Sequence, residues 1–503
     1  MSAKQPVPPR SAGVLMGIHS LPSRYGIGHF GAPARRFLDF LVTAGQRVWQ
    51  VLPLGHTGYG FSPYQCFSAF AGTPYFIDLD DLAERGWLTE EDVQTAVWDG
   101  DAARVAYAFL EQTRLPLLEK AYGRLTDADK QAVAQFAAAH ADWIDDYALF
   151  MALKDHFDGK PWQQWPVDIA LREDAALAHY REVLADRTAL YTFVQYLFFD
   201  QWSRLRADAA ARGVKLMGDI PIYVAMDSAD AWAHRDQFLF DEHGDPLGVA
   251  GVPPDYFSVT GQRWGNPLYD WDAMEKDGFS WWQRRIRESA ALYDMIRIDH
   301  FIGLVHYYVI PPASPDATVG EYRNAPTKAW LAAIRPALGN TLLIAEDLGN
   351  VTPQVQRAMK QAGLPGMRVL QFGFDACDPA NIHLPHRYEE NMVVYTGTHD
   401  NPPIGDITDR LSRKAARFAR GYLQVKRSSH LPAAMIRSVY ASVASIAMVQ
   451  MQDVLGLGDP HRTNTPGTVG NNWWWRLTDY TTADTVADSL KKLAWQYERL
   501  SDE

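Results

Sequence analysis

Three short segments of the chain end in acidic residues of a kind that can break and form acetal bonds. Asp294-Met-Ile-Arg-Ile-Asp-His-Phe301 runs apolar until Asp299, with Arg297 two positions earlier and therefore on the same face of a strand. Thr341-Leu-Leu-Ile-Ala-Glu-Asp-Leu-Gly349 brings Glu346 to the end of a second apolar run, and Val393-Val-Tyr-Thr-Gly-Thr-His-Asp-Asn401 brings His399 and Asp400 just past a third. An arginine beside Asp299 is expected to lower its pKa and keep it ionised, as a nucleophile requires. An apolar wall around Glu346 is expected to keep it protonated, as a general acid requires. Each acid taken alone is equally a helix cap or an arginine partner. A metal site from Asp299, Glu346, His300 and His399 is the rival constellation, but no helical His pair or close ligand cluster supports it.

Acids at the ends of three apolar runs need a scaffold that brings strand ends together. Eight short buried-type strands are predicted, at 14–19, 48–53, 214–220, 295–299, 342–346, 368–372, 392–396 and 446–451, mostly separated by helical patterns. Alternation of this kind indicates βα units and a parallel sheet. With no glycine-rich nucleotide loop after the first strand, eight units point to a (β/α)8 TIM barrel, an α/β fold whose catalytic residues gather at the C-terminal mouth. Glu346 lies 47 positions after Asp299, and Asp400 lies 54 after Glu346, distances such a mouth closes. Residues 1–503 are read as one catalytic barrel unit. A mainly helical insertion is expected at 88–212, between strands two and three, and a smaller loop-rich insertion lining the cleft at 221–290. Thr89 with Asp92 and Thr126 with Asp129 have the spacing of N-terminal helix caps, and Trp143, Tyr147, Phe150 and Met151 fall on one helical face.

Composition removes other classes. Sixty acidic against 48 basic residues give a net charge of −12 with no basic stripe, which argues against nucleic acid or an anionic membrane as partner. The first ten residues lack the pattern of a signal peptide, and no apolar run reaches membrane-spanning length. Two cysteines, Cys66 and Cys377, are too few for a disulfide framework or most structural zinc sites, so a reducing cytoplasm is the expected location. The 17 Trp, 23 Tyr and 22 Phe are more distinctive. Many will fill the core, but Tyr59, Tyr64, Tyr256, Trp264 and Trp473 sit beside Gly, Pro and Asn in predicted loops, where rings can stack on sugars.

Gly218-Asp-Ile-Pro-Ile-Tyr223, Arg297-Ile-Asp299, Glu346-Asp347 and Thr398-His-Asp400 resemble the ordered signature segments of the α-amylase superfamily. Ser62-Pro-Tyr-Gln65, Gly251-Val-Pro-Pro-Asp-Tyr-Phe-Ser258, Gly261-Gln-Arg-Trp-Gly-Asn-Pro-Leu-Tyr269, Gln452-Asp-Val-Leu-Gly456 and Asn464-Thr-Pro-Gly467 narrow the resemblance to the 4-α-glucanotransferases of the amylomaltase type. The resemblance runs over essentially the whole chain. It implies Asp299 as nucleophile, Glu346 as general acid/base and Asp400 as the carboxylate that grips sugar hydroxyls. It also implies that Arg297 orients Asp299 and that Asp219 and His399 hold hydroxyls of the reacting glucose. Tyr64, Trp264, Asp255 and Asn464 would contribute to substrate binding, and Tyr59 to a second glucan-binding surface. No organic cofactor or metal is implied. The partners implied are maltodextrin, starch or glycogen-derived glucans, met by a monomer or weak homo-oligomer. A hydrolase on the same barrel and a non-catalytic glucan-binding protein remain as alternatives. One departure stands out: where the family usually continues Asn401 with Asp-Thr, this chain has Pro402-Pro403-Ile404. Trp473-Trp-Trp475 also varies the family's single-Trp spacing.

Overall fold

Eight parallel strands form one sheet that curls into a barrel, in a computed structural model that describes residues 4–254 and 258–500. The barrel strands are β1 (Ser11–Leu15), β2 (Val48–Gln50), β3 (Lys215–Pro221), β4 (Met295–Asp299), β5 (Leu342–Ala345), β6 (Gly366–Val369), β7 (Met392–Tyr395) and β8 (Ile446–Gln450). They pair in chain order, and β8 pairs back onto β1 with Leu15 opposite Gln450. The fold is the expected TIM barrel, but two boundaries move. The first strand ends at Leu15, and Ile18 and His19, read as strand, belong to the 3-10 turn Ile18–Ser20. The sixth covers Gly366–Val369, because a short helix already begins at Phe372.

Side chains fill the barrel. Leu15, Val48, Met217, Met295, Ile344, Met367, Val369, Val393, Tyr395, Ile446 and Met448 form a buried interior cluster, rich in unbranched thioethers that adapt to its tapering space. Helices cover the outside. Ala32–Thr43, for example, buries Phe37, Leu38, Phe40 and Leu41 on one face.

Between β2 and β3 the chain is helical over most of its length, ending in the long helix Ala185–Ala211. Both predicted caps are present as reciprocal capping boxes, Thr89 with Asp92 and Thr126 with Asp129. Trp143, Tyr147, Phe150 and Met151 are all buried in packing. The segment after β3 holds more regular structure than a loop-rich reading anticipates. Val249–Val252 and Gln262–Pro267 join His306–Ile310 and Glu321–Asn324 in an antiparallel sheet, two strands of which lie beyond residue 290. Strands of four to six residues with Gly251, Gly265 and Pro267 carry too weak an alternating pattern to stand out. No helix among the described residues is long and apolar enough to cross a membrane.

The sheet is weakest between β5 and β6, and a side chain reinforces it there. The Ala345 N–H donates to the Pro365 carbonyl at 3.0 Å. Asp347, 4% exposed, accepts from the Met367 N–H at 2.6 Å and pairs with Arg368 at 2.9 Å. A side chain at Gly366 would meet that carboxylate, its Cβ falling 2.8 Å from an Asp347 oxygen. Removing the carboxylate leaves a buried amide and a largely buried guanidinium without their partner. D347A is therefore expected to cost about 3–5 kcal/mol, the range for breaking one side of a buried pair, read as a lower midpoint in chemical denaturation.

Candidate active site

The mouth of the barrel is organised around Arg297. It stands on β4 directly opposite Asp219 on β3, and its guanidinium donates to both Asp219 oxygens at 2.7 and 2.6 Å. A second nitrogen reaches Asp299 at 3.0 Å. Burial works against the arginine's charge, but the two carboxylates outweigh it and hold the group protonated. Tyr64 extends the network. Burial and the charge of Asp219 keep its phenol protonated, so the O–H donates to Asp219 at 2.9 Å. The same oxygen lies 2.9 Å from His399 Nε2, which assigns the proton of that contact to the histidine. The Tyr64 ring stacks on His399 with centroids 5.3 Å apart, and Trp473 leans against both rings. This is a preformed wall.

Asp400 closes the other side. Its carboxylate accepts from the Asn464 amide at 2.6 Å and lies 3.4 Å from His399 Nε2. Arg462 braces the pair, donating to the carbonyls of Asp400 at 2.5 Å and Asn464 at 2.6 Å. Trp264, on the strand Gln262–Pro267, meets the His300 ring edge-on at 4.8 Å. The small sheet thus delivers an aromatic side chain to the edge of β4.

Glu346 is held by backbone. Its two oxygens accept the N–H groups of His300 at 2.7 Å and Leu348 at 2.5 Å. His300 reaches that position with φ of +52°, in the left-handed region a side chain rarely adopts. Burial and the charge of Asp299 push Glu346 up to about 8, against the opposing pull of Arg297 and the two amides. Asp299 departs from expectation. Arg297 does pull its pKa down, but burial, helped by the charges of Asp219 and Asp400, outweighs it and lifts Asp299 to about 6. Burial decides the direction, and a guanidinium that also serves Asp219 does not cancel it. The order between the acids is as the chemistry requires: Asp299 loses its proton first.

Asp299, Glu346, Asp400, Asp219, Arg297, His399, Tyr64, Trp264 and Asn464 are thus brought to one cleft. Asp255 lies outside the described residues, as does the Tyr59 side chain. Sequence reasoning did not single out Arg462, whose guanidinium serves backbone carbonyls, or the His300 and Leu348 amides, because a backbone partner leaves no residue signature. The carboxylates of the cleft are bound by arginine, amide and backbone donors. Among the described residues, the grouping with metal-like spacing is His29, Asp78 and Asp80, none of them one of these cleft residues. Its members already serve one another and Arg24, with His29 3.2 Å from Asp78 and Arg24 2.6 Å from Asp80.

The sequence model of the 4-alpha-glucanotransferase family (Glyco_hydro_77) matches residues 16–482. The chain belongs to this family. It is 44% identical over 496 residues to the 4-alpha-glucanotransferase of Streptococcus pneumoniae, covering 98% of each chain. It is 45% identical over 504 residues to that of Thermus thermophilus, covering 98% of this chain and 99% of the relative. Among solved structures, an amylomaltase from Streptococcus agalactiae in complex with acarbose superposes with a TM-score of 0.95. It is 38% identical, over 98% of this chain and 100% of that one. The chain is a glycosyl-transferring enzyme of this class.

The two pKa values predict a bell-shaped dependence of kcat/KM on pH. Activity should rise as pH passes about 6, where Asp299 ionises, and fall past about 8, where Glu346 loses its proton, both as properties of the coupled pair. E346Q assayed with an α-glucosyl fluoride donor, whose leaving group needs no proton, should keep the acid limb and lose the alkaline one.

Proposed function

We propose that the enzyme moves α-1,4-glucan segments from one maltodextrin or starch chain to the 4-hydroxyl of another glucan or of glucose, by double displacement with retention. The observation that carries this reading is the unequal treatment of two acids in one cleft. Glu346 is buried and holds its proton near neutrality, whereas Asp299, gripped by Arg297, ionises first. The protonated Glu346 gives its proton to the glycosidic oxygen while a carboxylate oxygen of Asp299 forms a bond to the anomeric carbon. The glycosidic bond breaks, and the leaving chain departs with the proton. Glu346, now a carboxylate, accepts the proton of an incoming 4-hydroxyl as that oxygen attacks the anomeric carbon and frees Asp299.

In this reading Asp400, with His399, holds sugar hydroxyls and favours the flattened ring of the transition state, whereas Asp219, expected to do the same, has a side chain fully buried behind Arg297 and Tyr64 and acts by holding those two in place. Asp400 is suited to this by its anchorage on Asn464 and by a side chain 38% exposed to the cleft. Tyr64 and Trp264 supply stacking faces at neighbouring positions, and Asn464 and Asp255 complete the binding set. Tyr59 belongs to a second glucan surface. The helical insertion at 88–212 and the segment at 221–290 act as subdomains that shape the cleft around a single barrel. The acting unit in this reading is a monomer or weak homo-oligomer. Two free thiols, one of them, Cys66, pushed up to about 12 by burial, suit the cytoplasm.

Incubation with maltotriose tests the activity. Glucose should appear together with maltodextrins longer than the substrate; shorter sugars alone would mean hydrolysis and overturn transfer. D299N is expected to lose about three or more orders of magnitude in kcat, since no covalent intermediate can form. E346Q with α-glucosyl fluoride should accumulate a glucosyl adduct on Asp299, detectable as one added hexose by mass spectrometry of the intact protein.

A further inference from the structure

Asp400 rides on a loop with little structure of its own. Between the end of β7 at Tyr395 and the 3-10 turn Ile404–Asp406, the local ties converge on Thr398: the Asn401 side-chain oxygen accepts from its N–H at 2.8 Å and hydroxyl at 3.0 Å, and the Asp400 N–H donates to its hydroxyl oxygen at 3.4 Å. Pro402 and Pro403 offer no N–H, so Ile404 supplies the next backbone donor after Asn401. The remaining anchors come from outside. Gln371 donates to the Pro402 carbonyl at 3.0 Å. Beneath Gly397 there is no room for a side chain, since a Cβ would fall 2.3 Å from the Gln371 amide and 3.0 Å from that of Gln450.

Asp453 holds both ends of this loop. One of its oxygens accepts from the Thr396 hydroxyl at 2.5 Å and the other from the Ile404 N–H at 2.8 Å. It is 2% exposed and sits in the short helix Met451–Val454, which follows directly on β8. We propose that Asp453 is a positioning residue for Asp400, fixing the height and direction of the third carboxylate by tying its loop to the barrel wall. The role rests on the function proposed for Asp400. Asp453 acts only through that loop.

The geometry also says which substitutes should serve. Burial pushes Asp453 up to about 7, while its bonds to Thr396 and Ile404 and the charge of Arg410 pull the other way. When it is protonated, the Thr396 hydroxyl can turn to accept while Ile404 still donates, so both ties persist. An asparagine can make the same two contacts. A leucine of similar volume can make neither, and would leave the Ile404 N–H without a partner.

The test compares D453L, D453N and T396V, alone and combined with D400N, by steady-state kinetics on maltotriose and on α-maltotriosyl fluoride. D453L is expected to lower kcat about 30-fold or more with KM changed less than about threefold, as for displacement of a group used in the transition state. D453N should recover to within about fivefold of the parent, and T396V, which removes one tie, should fall between. In the D400N background, D453L and T396V should each lower the rate less than about threefold further, because their effect passes through Asp400. If D453L does not fold, T396V and D453N decide the matter on the same criteria. The proposal is overturned if these losses repeat in full on D400N, or if D453L keeps kcat within about threefold. A parent that consumes the fluoride but makes no longer glucans would instead remove the transfer reading, and the loop comparison would still be read from fluoride turnover.

Discussion

One cation shared by two carboxylates sets the terms for the rest of the cleft. Arg297 and Asp219 are both almost fully buried, and a charge placed there alone would be prohibitively costly. Parallel pairing of β3 with β4 puts them side by side on the inner face, so the register itself supplies the partner. Having neutralised Asp219, the guanidinium has only part of its field left for Asp299. Burial lifts Asp299, and a guanidinium shared in this way does not cancel that lift, yet Asp299 still ionises before Glu346. An arginine devoted to Asp299 alone would make it a weaker base and a poorer nucleophile.

Around that centre, each acid is held by a different kind of donor. Asp299 has a guanidinium, Glu346 has backbone amides, and Asp400 has the Asn464 side chain. The proton of a shared donor cannot drift between them, which keeps the roles separate in a cleft where three acids act on one another. The aromatic wall of Tyr64, His399 and Trp473 works alongside, because its stacking fixes ring orientation while its hydrogen bonds tie it back to Asp219. Rigidity here is a sum of local constraints, drawn from strands β3, β4, β5 and β7 and from the 460s loop.

Much of this was legible in the chain. Short apolar runs ending in Asp299, Glu346 and just before Asp400 revealed the strands and their order, since a buried strand needs continuous apolar character and a polar end needs an exit. The capping boxes at Thr89 and Thr126 were equally plain, being local hydrogen-bond chemistry. The four-stranded sheet that carries Trp264 was not, because the pairing that unites its two hairpins joins segments more than fifty residues apart and its strands are too short to show a period. The early end of β1 has a different cause: Gly17, Ile18 and His19 are buried like strand residues but turn away from the ladder. The balance at Asp299 could not be read either. A sequence shows that an arginine is near, but not how many acids it must serve.

Half of the grip on Glu346 is written in a form that few substitutions can erase. Any residue but proline at position 300 brings an N–H, so an alanine scan of the cleft would pass over the donor and register only the missing imidazole. What the position demands is a residue that can hold a positive φ, as His300 does and few other side chains of this chain do. Divergent members of such a fold could exchange that side chain for asparagine or glycine and keep the acid in place. The shape of the backbone, more than the identity of the residue, is then the heritable part of this contact.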